Sequence, residues 1–443
     1  MAAEPDLLVV GAGAKAAGLA TKVHALNELG LGPISLTIVE ATEVAASWKG
    51  RNGMTSGEEP LAVTPIKDVG FPYQSHREFG EAGEAIDDRT IRFSWQRYMV
   101  GKRRYARWID AGSPAVRHRD YGEYLTWVLS RATEGVTHIG GRVAQVTLDE
   151  QRGRWAVEVE EPAQTSRHLA GALVLTGPGI HRAFPHEPSI ASRTFHCDSK
   201  RRDFACLPED RGCDVAVVGG GESALSCVMF LRGFRPQARF TIYTPMLPMS
   251  RVESFLENRV FSNPDEVEWN SLDERTRRDF VKHSDRGVFD PPSLAAIAYD
   301  DRCRFVTGRV TDVAACRGGG GVRLRHESPE GTQEPEHDYV VNCTGFDLLA
   351  QLRTLFPATT RAQIEGRVGQ LWDTPAGTEV PIGRSLELLG MEPRLQIPGL
   401  AGLSQGPGFA NLGALGLLAN RVLAPLLEDR GLVQSTSRIS ANT

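Results

Sequence analysis

A chain of 443 residues, 41% hydrophobic and 24% charged, has the material for a folded core, and its length predicts about three domains. Its formal net charge of −5 leaves no global basic field to hold nucleic acid, and the short clusters Lys102-Arg103-Arg104 and Lys200-Arg201-Arg202 read as solvated faces. Glu4 and Asp6 stand where a signal peptide carries positive charge, and no apolar run reaches about 18 residues, so a cytoplasmic protein that binds no membrane is expected.

The first predicted element is a short apolar strand over residues 7–10. Gly11, Gly13 and Ala16 follow it in a G-x-G-x-x-A fingerprint that opens a helix. Gly11 permits the tight turn, Gly13 lets backbone approach a pyrophosphate, and Ala16 lets the helix pack closely on its strand. Residues 35–39 read as the next strand, and Glu40 at its end is placed to accept hydrogen bonds from an adenosine ribose. Beyond the loop that opens at Trp48, residues 61–73 are extended and held by Pro65 and Pro72. Lys67 and Asp68 interrupt that apolar string, where a mutual ion pair and service to a ligand are equally good readings.

Trp95, Tyr98, Tyr105 and Trp108, with Tyr124, Leu125 and Val128 at helical spacing, predict core packing. Residues 143–159 alternate like a meander. Residues 172–176 form a buried strand stopped by Gly177-Pro178-Gly179, and its Thr-Gly ending signals a crossing between two Rossmann units, with a boundary near 203–213.

The fingerprint then returns. Residues 214–218 lead into Gly219, Gly220 and Gly221, with Ala224 three positions on, so a second dinucleotide is implied. The following strand ends in Tyr243-Thr244 with no acid, which points to NADP. An acid facing the 2′-phosphate would cost roughly 4 kcal/mol at about 4 Å and an effective dielectric of about 20. Arg251 is the candidate partner of that phosphate. Residues 254–264 and 272–283 read as a helical insertion with room for a substrate, Ser271 being expected to cap its second helix in a capping box with Glu274. Strands resume at 304–310 and 322–326 around the glycines 318–321. A buried strand over 339–343 again ends in Thr-Gly, at Thr344-Gly345. The glycine-rich stretch 403–413 enters an apolar terminal helix. Seven cysteines without a C-x-x-C pair and eleven histidines without ligand spacing predict neither a redox disulfide nor a metal.

Together these residues resemble the flavin-dependent N-hydroxylating monooxygenases, and within them the lysine ε-N-hydroxylases of mycobactin-type siderophore pathways. The likeness covers nearly the whole chain. It rests on the G-A-G-A-K-A start at Gly11, Lys67-Asp-Val-Gly-Phe-Pro-Tyr73, Phe93-Ser-Trp-Gln96, Gly219-Gly-Gly-Glu222, Glu257-Asn258, Asp285-Arg-Gly-Val-Phe289 and Gly406-Pro-Gly-Phe409.

The resemblance implies an α/β protein with two Rossmann-like dinucleotide-binding domains and a small helical substrate-binding insertion. The FAD domain is expected over 1–206 and 338–443, the NADPH domain over 207–250 and 300–337, and the insertion over 251–299. FAD is expected to meet Gly11, Gly13, Ala16, Glu40, Trp48, Gly345, Pro407 and Gly408, with the positive end of the terminal helix facing the flavin ring. NADPH is expected to meet Gly219, Gly221, Glu222, Ser223 and Arg251. Lys67 and Asn258 are implied as the catalytic pair that holds the substrate carboxylate or α-amino group. At Asp285, a third substrate residue, the ornithine-specific branch carries Asn, so the chain matches the lysine-type pattern.

The implied chemistry is hydride transfer from NADPH to FAD, formation of a C4a-hydroperoxide with molecular oxygen, and attack by the neutral amine of a small amino acid. L-lysine is the first choice; ornithine, aspartate or a diamine is the alternative. The family resemblance also leans toward a homodimer or homotetramer. A Baeyer–Villiger or sulfur-oxidising flavoenzyme would want an F-x-G-x-x-x-H motif in the linker 184–213, which lacks it. A non-catalytic flavin-binding regulator is the remaining alternative.

Overall fold

The computed structural model describes residues 4–52, 55–182, 188–199, 203–209, 211–373 and 379–432. The Lys200-Arg201-Arg202 cluster and the polar tail beyond residue 433, expected to be disordered, lie outside them.

The continuous apolar run Leu7–Val10 forms the middle strand of a five-stranded parallel sheet, in the order Leu395–Gln396, Ala172–Leu175, Leu7–Val10, Leu36–Glu40 and Val136–Gly140. A strand buried on both faces has no polar side to alternate with, and Leu7, Leu8 and Val9 are fully buried. The fingerprint helix Ala14–Glu28 packs against the terminal helix Leu415–Glu428, whose Leu415, Leu418 and Val422 face the same core. An antiparallel meander, Arg142–Asp149, Arg154–Glu160 and Thr165–Ala170, lies beside this sheet. The aromatics behave as core. Trp95 and Trp108 meet edge to face at 6.2 Å, and Trp95 meets Tyr124 in the same way at 5.4 Å.

The second sheet repeats the plan in the order Cys303–Thr307, Arg239–Thr244, Asp214–Val218, Tyr339–Asn342 and Thr194–His196, all parallel. An antiparallel ribbon built on Arg309–Ala315 and Val322–Ser328 covers one of its faces. The domain boundaries expected from sequence need correction. Thr194–His196 and Tyr339–Asn342, assigned to the first unit, pair with each other and extend the second sheet. The chain crosses earlier and returns later, where Ile180–His181 pairs antiparallel with Phe346–Asp347.

The insertion supplies the helices Phe255–Ser262 and Glu274–Ser284, whereas Phe289 and Ile297 already sit in the core of the second sheet. The expected cap is also corrected. Asp273, not Ser271, accepts the Thr276 amide at 2.9 Å, because Trp269–Ser271 forms its own 3-10 turn. The capping box falls one helix earlier, on Ser254 and Glu257. A buried arginine ties the insertion to the first unit. Arg421 of the terminal helix donates to Asp265 at 2.6 Å and to Gln405 at 3.1 Å, with its guanidinium over the Phe409 ring. Among the described residues no helix is long and apolar enough to cross a membrane.

Candidate active site between the two nucleotide folds

The first glycine turn is shaped for a close approach. Gly11 has φ +98°, and a Cβ there would lie 2.7 Å from Thr176 Oγ1. At Gly13, by contrast, an added Cβ meets nothing within 4 Å, so open space lies over the start of the Ala14–Glu28 helix. That helix has no side-chain cap and no acid in its first turn, which leaves its N–H groups directed at that space. Ala16 is fully buried. Glu40 is held at the end of its strand by the Ala12 amide at 2.9 Å and by the Thr42 amide and hydroxyl at 3.0 and 2.9 Å. An uncapped helix end, open space over Gly13 and an oriented carboxylate fit a dinucleotide. Trp48 is half-buried, edge-on to His118 and Tyr121.

The second turn is tighter. Gly219 has φ +152°, and a Cβ there would strike the Cys343 carbonyl. At Gly221, the cap of the Glu222–Phe234 helix, the same test meets the Gly287 amide nitrogen at 3.6 Å and the Val288 carbonyl oxygen at 3.9 Å. The insertion's last strap therefore lies over this fingerprint. Burial pushes the Glu222 carboxyl up to about 7, against the pull of Arg251. With Cys343 contributing most, Ser223 helps to hold the Cys197 thiol below its ordinary value. Arg251 stands 3.6 Å from Glu222, bonds Glu253 at 2.8 Å and donates to the Ala62 carbonyl at 3.0 Å. It thus spans from the second fingerprint to the segment bearing Lys67, with its charge engaged by carboxylates rather than free for a phosphate.

Lys67 and Asp68 do not pair. Asp68 is buried and accepts from the Tyr73 hydroxyl at 2.7 Å, the Trp95 amide at 2.9 Å and the Gly70 amide at 3.1 Å. Lys67 turns the other way and donates to Asn258 Oδ1 at 2.8 Å. Burial, with Arg251 assisting and Glu253 opposing, holds its ammonium below the ordinary lysine value. Asn258 is kept in place by its own amide group, which donates to the Ser254 carbonyl at 3.1 Å.

Asp285 lies on the strap near Gly221. It receives Asn411 Nδ2 at 3.3 Å and pairs with Arg286 at 3.0 Å. Pro407 and Gly408 form a buried turn beneath the insertion, where a Cβ on Gly408 would overlap the Phe261 carbonyl. Gly345 stands away from these, at the crossing ribbon, with its carbonyl accepting the Arg182 amide at 3.0 Å. Two residues escaped sequence reasoning. Asn411 joins the C-terminal loop to Asp285, and Lys15, inside the first fingerprint, reaches the Ala410 carbonyl at 3.1 Å. Lys15 carried a readable signal, since a cation in the first turn of a helix opposes the helix dipole.

This arrangement has close counterparts. The L-lysine N6-monooxygenases MbtG of Mycolicibacterium paratuberculosis and Mycobacterium tuberculosis are each 35% identical to it, over 95% of this chain and 95% and 94% of their own. A solved structure of the lysine monooxygenase NbtG from Nocardia farcinica, described for its NADPH domain conformation, is 34% identical and superposes with a TM-score of 0.81 over 94% of this chain and 99% of its own. The family model for L-lysine 6-monooxygenase/L-ornithine 5-monooxygenase matches residues 85–348, which hold the second fingerprint, Asn258 and Asp285. With two glycine turns, an insertion between them and relatives alike over almost their whole length, the chain belongs to the L-lysine 6-monooxygenase/L-ornithine 5-monooxygenase family.

Proposed function

We propose that this chain hydroxylates the side-chain amine of free L-lysine with molecular oxygen, using FAD in the first fold and NADPH in the second. The observation that carries the reading is the contact between Lys67 and Asn258, which sets a cation and a carboxamide from the two units side by side where Arg251 reaches the second fingerprint. FAD and NADPH, when bound, supply the oxygen activation and the reducing equivalents. The protein's own residues bind and orient. The Lys67 ammonium pairs with the substrate carboxylate through a charge-assisted hydrogen bond, and the Asn258 carboxamide adds a second contact. Asp285, steadied by Asn411 and Arg286, is the third substrate residue in this reading.

The reacting amine must be neutral. A lysine amine at about pKa 10.4 has to lose about 3 units, roughly 4 kcal/mol, to be unprotonated near pH 7.5. Desolvation supplies that, and the depressed Lys67 ammonium marks a place where burial already disfavours positive charge. The lysine relatives favour lysine over ornithine, although one methylene is worth only about 1–3 kcal/mol.

The test is a panel of lysine, ornithine, aspartate and cadaverine scored for hydroxylated product together with NADPH consumed, since uncoupled oxidation consumes NADPH without product. Lysine is expected to give the most product. Product from another member and none from lysine would overturn the substrate, and equal reduction of the flavin by NADH would overturn the assignment of the second fold.

A further inference from the structure

Lys15 projects from the first turn of the fingerprint helix, and its ammonium donates to the Ala410 carbonyl at 3.1 Å. That is its single protein partner among the described residues, and no carboxylate lies within ion-pair distance of it. The like charge of Arg286 acts on it. Burial pushes the ammonium down to about 8, with Arg286 acting in the same direction. The helix end and Lys15 are both positive here, with no acid in the helix's first turn to offset them, whereas the Arg286 charge is already paired with Asp285 at 3.0 Å. A desolvated cation without a counter-charge is unfavourable unless a ligand supplies one. Open space also lies over Gly13, two positions before Lys15, where an added Cβ meets nothing within 4 Å.

We propose that Lys15 is a positioning residue for the flavin cofactor, its ammonium pairing with a phosphate of FAD while its bond to Ala410 fastens the C-terminal loop over the bound dinucleotide. The inference rests on FAD occupying the first fold and goes beyond it by giving the fingerprint a side-chain charge as well as its backbone N–H groups. Closure of the loop follows from the same contact. Ala410 sits between the Pro407–Phe409 turn and the Leu415–Glu428 helix, and the next residue, Asn411, holds Asp285. Lys15 therefore links cofactor binding to the strap that borders the substrate.

The experiment measures FAD dissociation from the full-length protein for wild type, Lys15→Gln and Lys15→Arg. Gln can still donate to the Ala410 carbonyl but carries no charge. Loss of one charge-assisted contact is expected to raise the FAD Kd about ten- to a hundredfold in Lys15→Gln, with Lys15→Arg recovering most of it. Equal Kd values for wild type and Lys15→Gln would overturn the proposal. An unchanged Kd with a shifted flavin reduction potential would do so too, by placing the ammonium at the ring. A second measurement covers variants that fail to fold. In wild-type apoprotein Lys15 should be reductively methylated readily and be protected by added FAD, and equal modification with and without FAD would refute the pairing. Wild type that bound no FAD at all would instead sink the flavoenzyme reading itself.

Discussion

Lys67 Nζ lies 2.8 Å from Asn258 Oδ1 across 191 positions of chain, one residue in the first unit on a stretch expected to be extended but folded into successive turns, its own amide bonding the Thr64 carbonyl at 3.0 Å, and the other on an insertion helix of the second. Its sequence neighbour Asp68 takes no part, being saturated by Tyr73, Trp95 and Gly70. The two charges that sequence leaves as a candidate pair face opposite ways, one toward the core and one toward Asn258 on the insertion.

Lys67→Met should therefore spare the fold. The change keeps the apolar stem and leaves the Asp68 network intact, so unfolding and FAD content are expected to match wild type. The Michaelis constant for lysine should rise about ten- to a hundredfold, and coupling should fall as the amine is held less firmly. Product formed per NADPH, with thermal unfolding as control, checks both. A variant with unaltered affinity and coupling would remove Lys67 from the site.

The first glycine turn allows folding and cofactor binding to be separated. Gly11→Ala forces a Cβ onto φ +98° and toward Thr176, so it should cost about 1–3 kcal/mol of stability. Gly13→Ala, at φ −93° with free space around it, should fold normally and lose FAD affinity because its methyl fills that space. Urea unfolding of the apoprotein and FAD titration distinguish the two. Normal FAD binding by Gly13→Ala would argue against a pyrophosphate there.

Asp68 gives a pH signature. Burial pushes its carboxyl from 3.8 up to about 6, overcoming its hydrogen bonds from Tyr73, Trp95 and Gly70. The folded state then binds more protons than the unfolded state between those values. This contribution is complete below about pH 4 and is lost as pH rises through about 6, amounting to about 3 kcal/mol. Relative to Asp68→Asn, which cannot ionise, wild type should lose that much stability between about pH 4 and pH 7. A pH-independent difference in urea unfolding between the two proteins would contradict it.

Arg421→Met tests how the insertion is held. Removal of this buried guanidinium leaves the half-buried Asp265 carboxylate with Arg384 as its remaining cation, at 3.3 Å, and should cost about 1–3 kcal/mol. Adding Asp265→Asn should return part of the loss, with a coupling of about 0.5–3 kcal/mol read from the double-mutant cycle. Additive effects would mean that the two residues do not act as a pair.

Both nucleotide folds were legible because their signals are local. Four or five apolar residues, a glycine turn and small residues at the helix start stand together in sequence, as at Leu7 to Ala16 and Asp214 to Ala224. The boundaries were not legible, since Thr194–His196 is a three-residue strand defined only by its distant partner Tyr339–Asn342. The cap at Asp273 was missed for a related reason. Ser271 and Asp273 are both competent caps, and the preceding 3-10 turn decides between them. Lys67 stood out as a charge in an apolar string, yet nothing near it in sequence pointed to Asn258. Lys15 was hidden among residues selected for smallness.

Both passages of the chain between the two sheets run through the one ribbon of Ile180–His181 and Phe346–Asp347. Two covalent links laid side by side resist separation but offer little resistance to swivelling about their shared axis. The angle between the units is then set by side-chain latches distant from the axis, among them Lys67 to Asn258 and Arg251 to the Ala62 carbonyl. Under the proposed function a substrate carboxylate competes with Asn258 for Lys67, so filling the pocket would loosen one of the contacts that hold the two units at their angle.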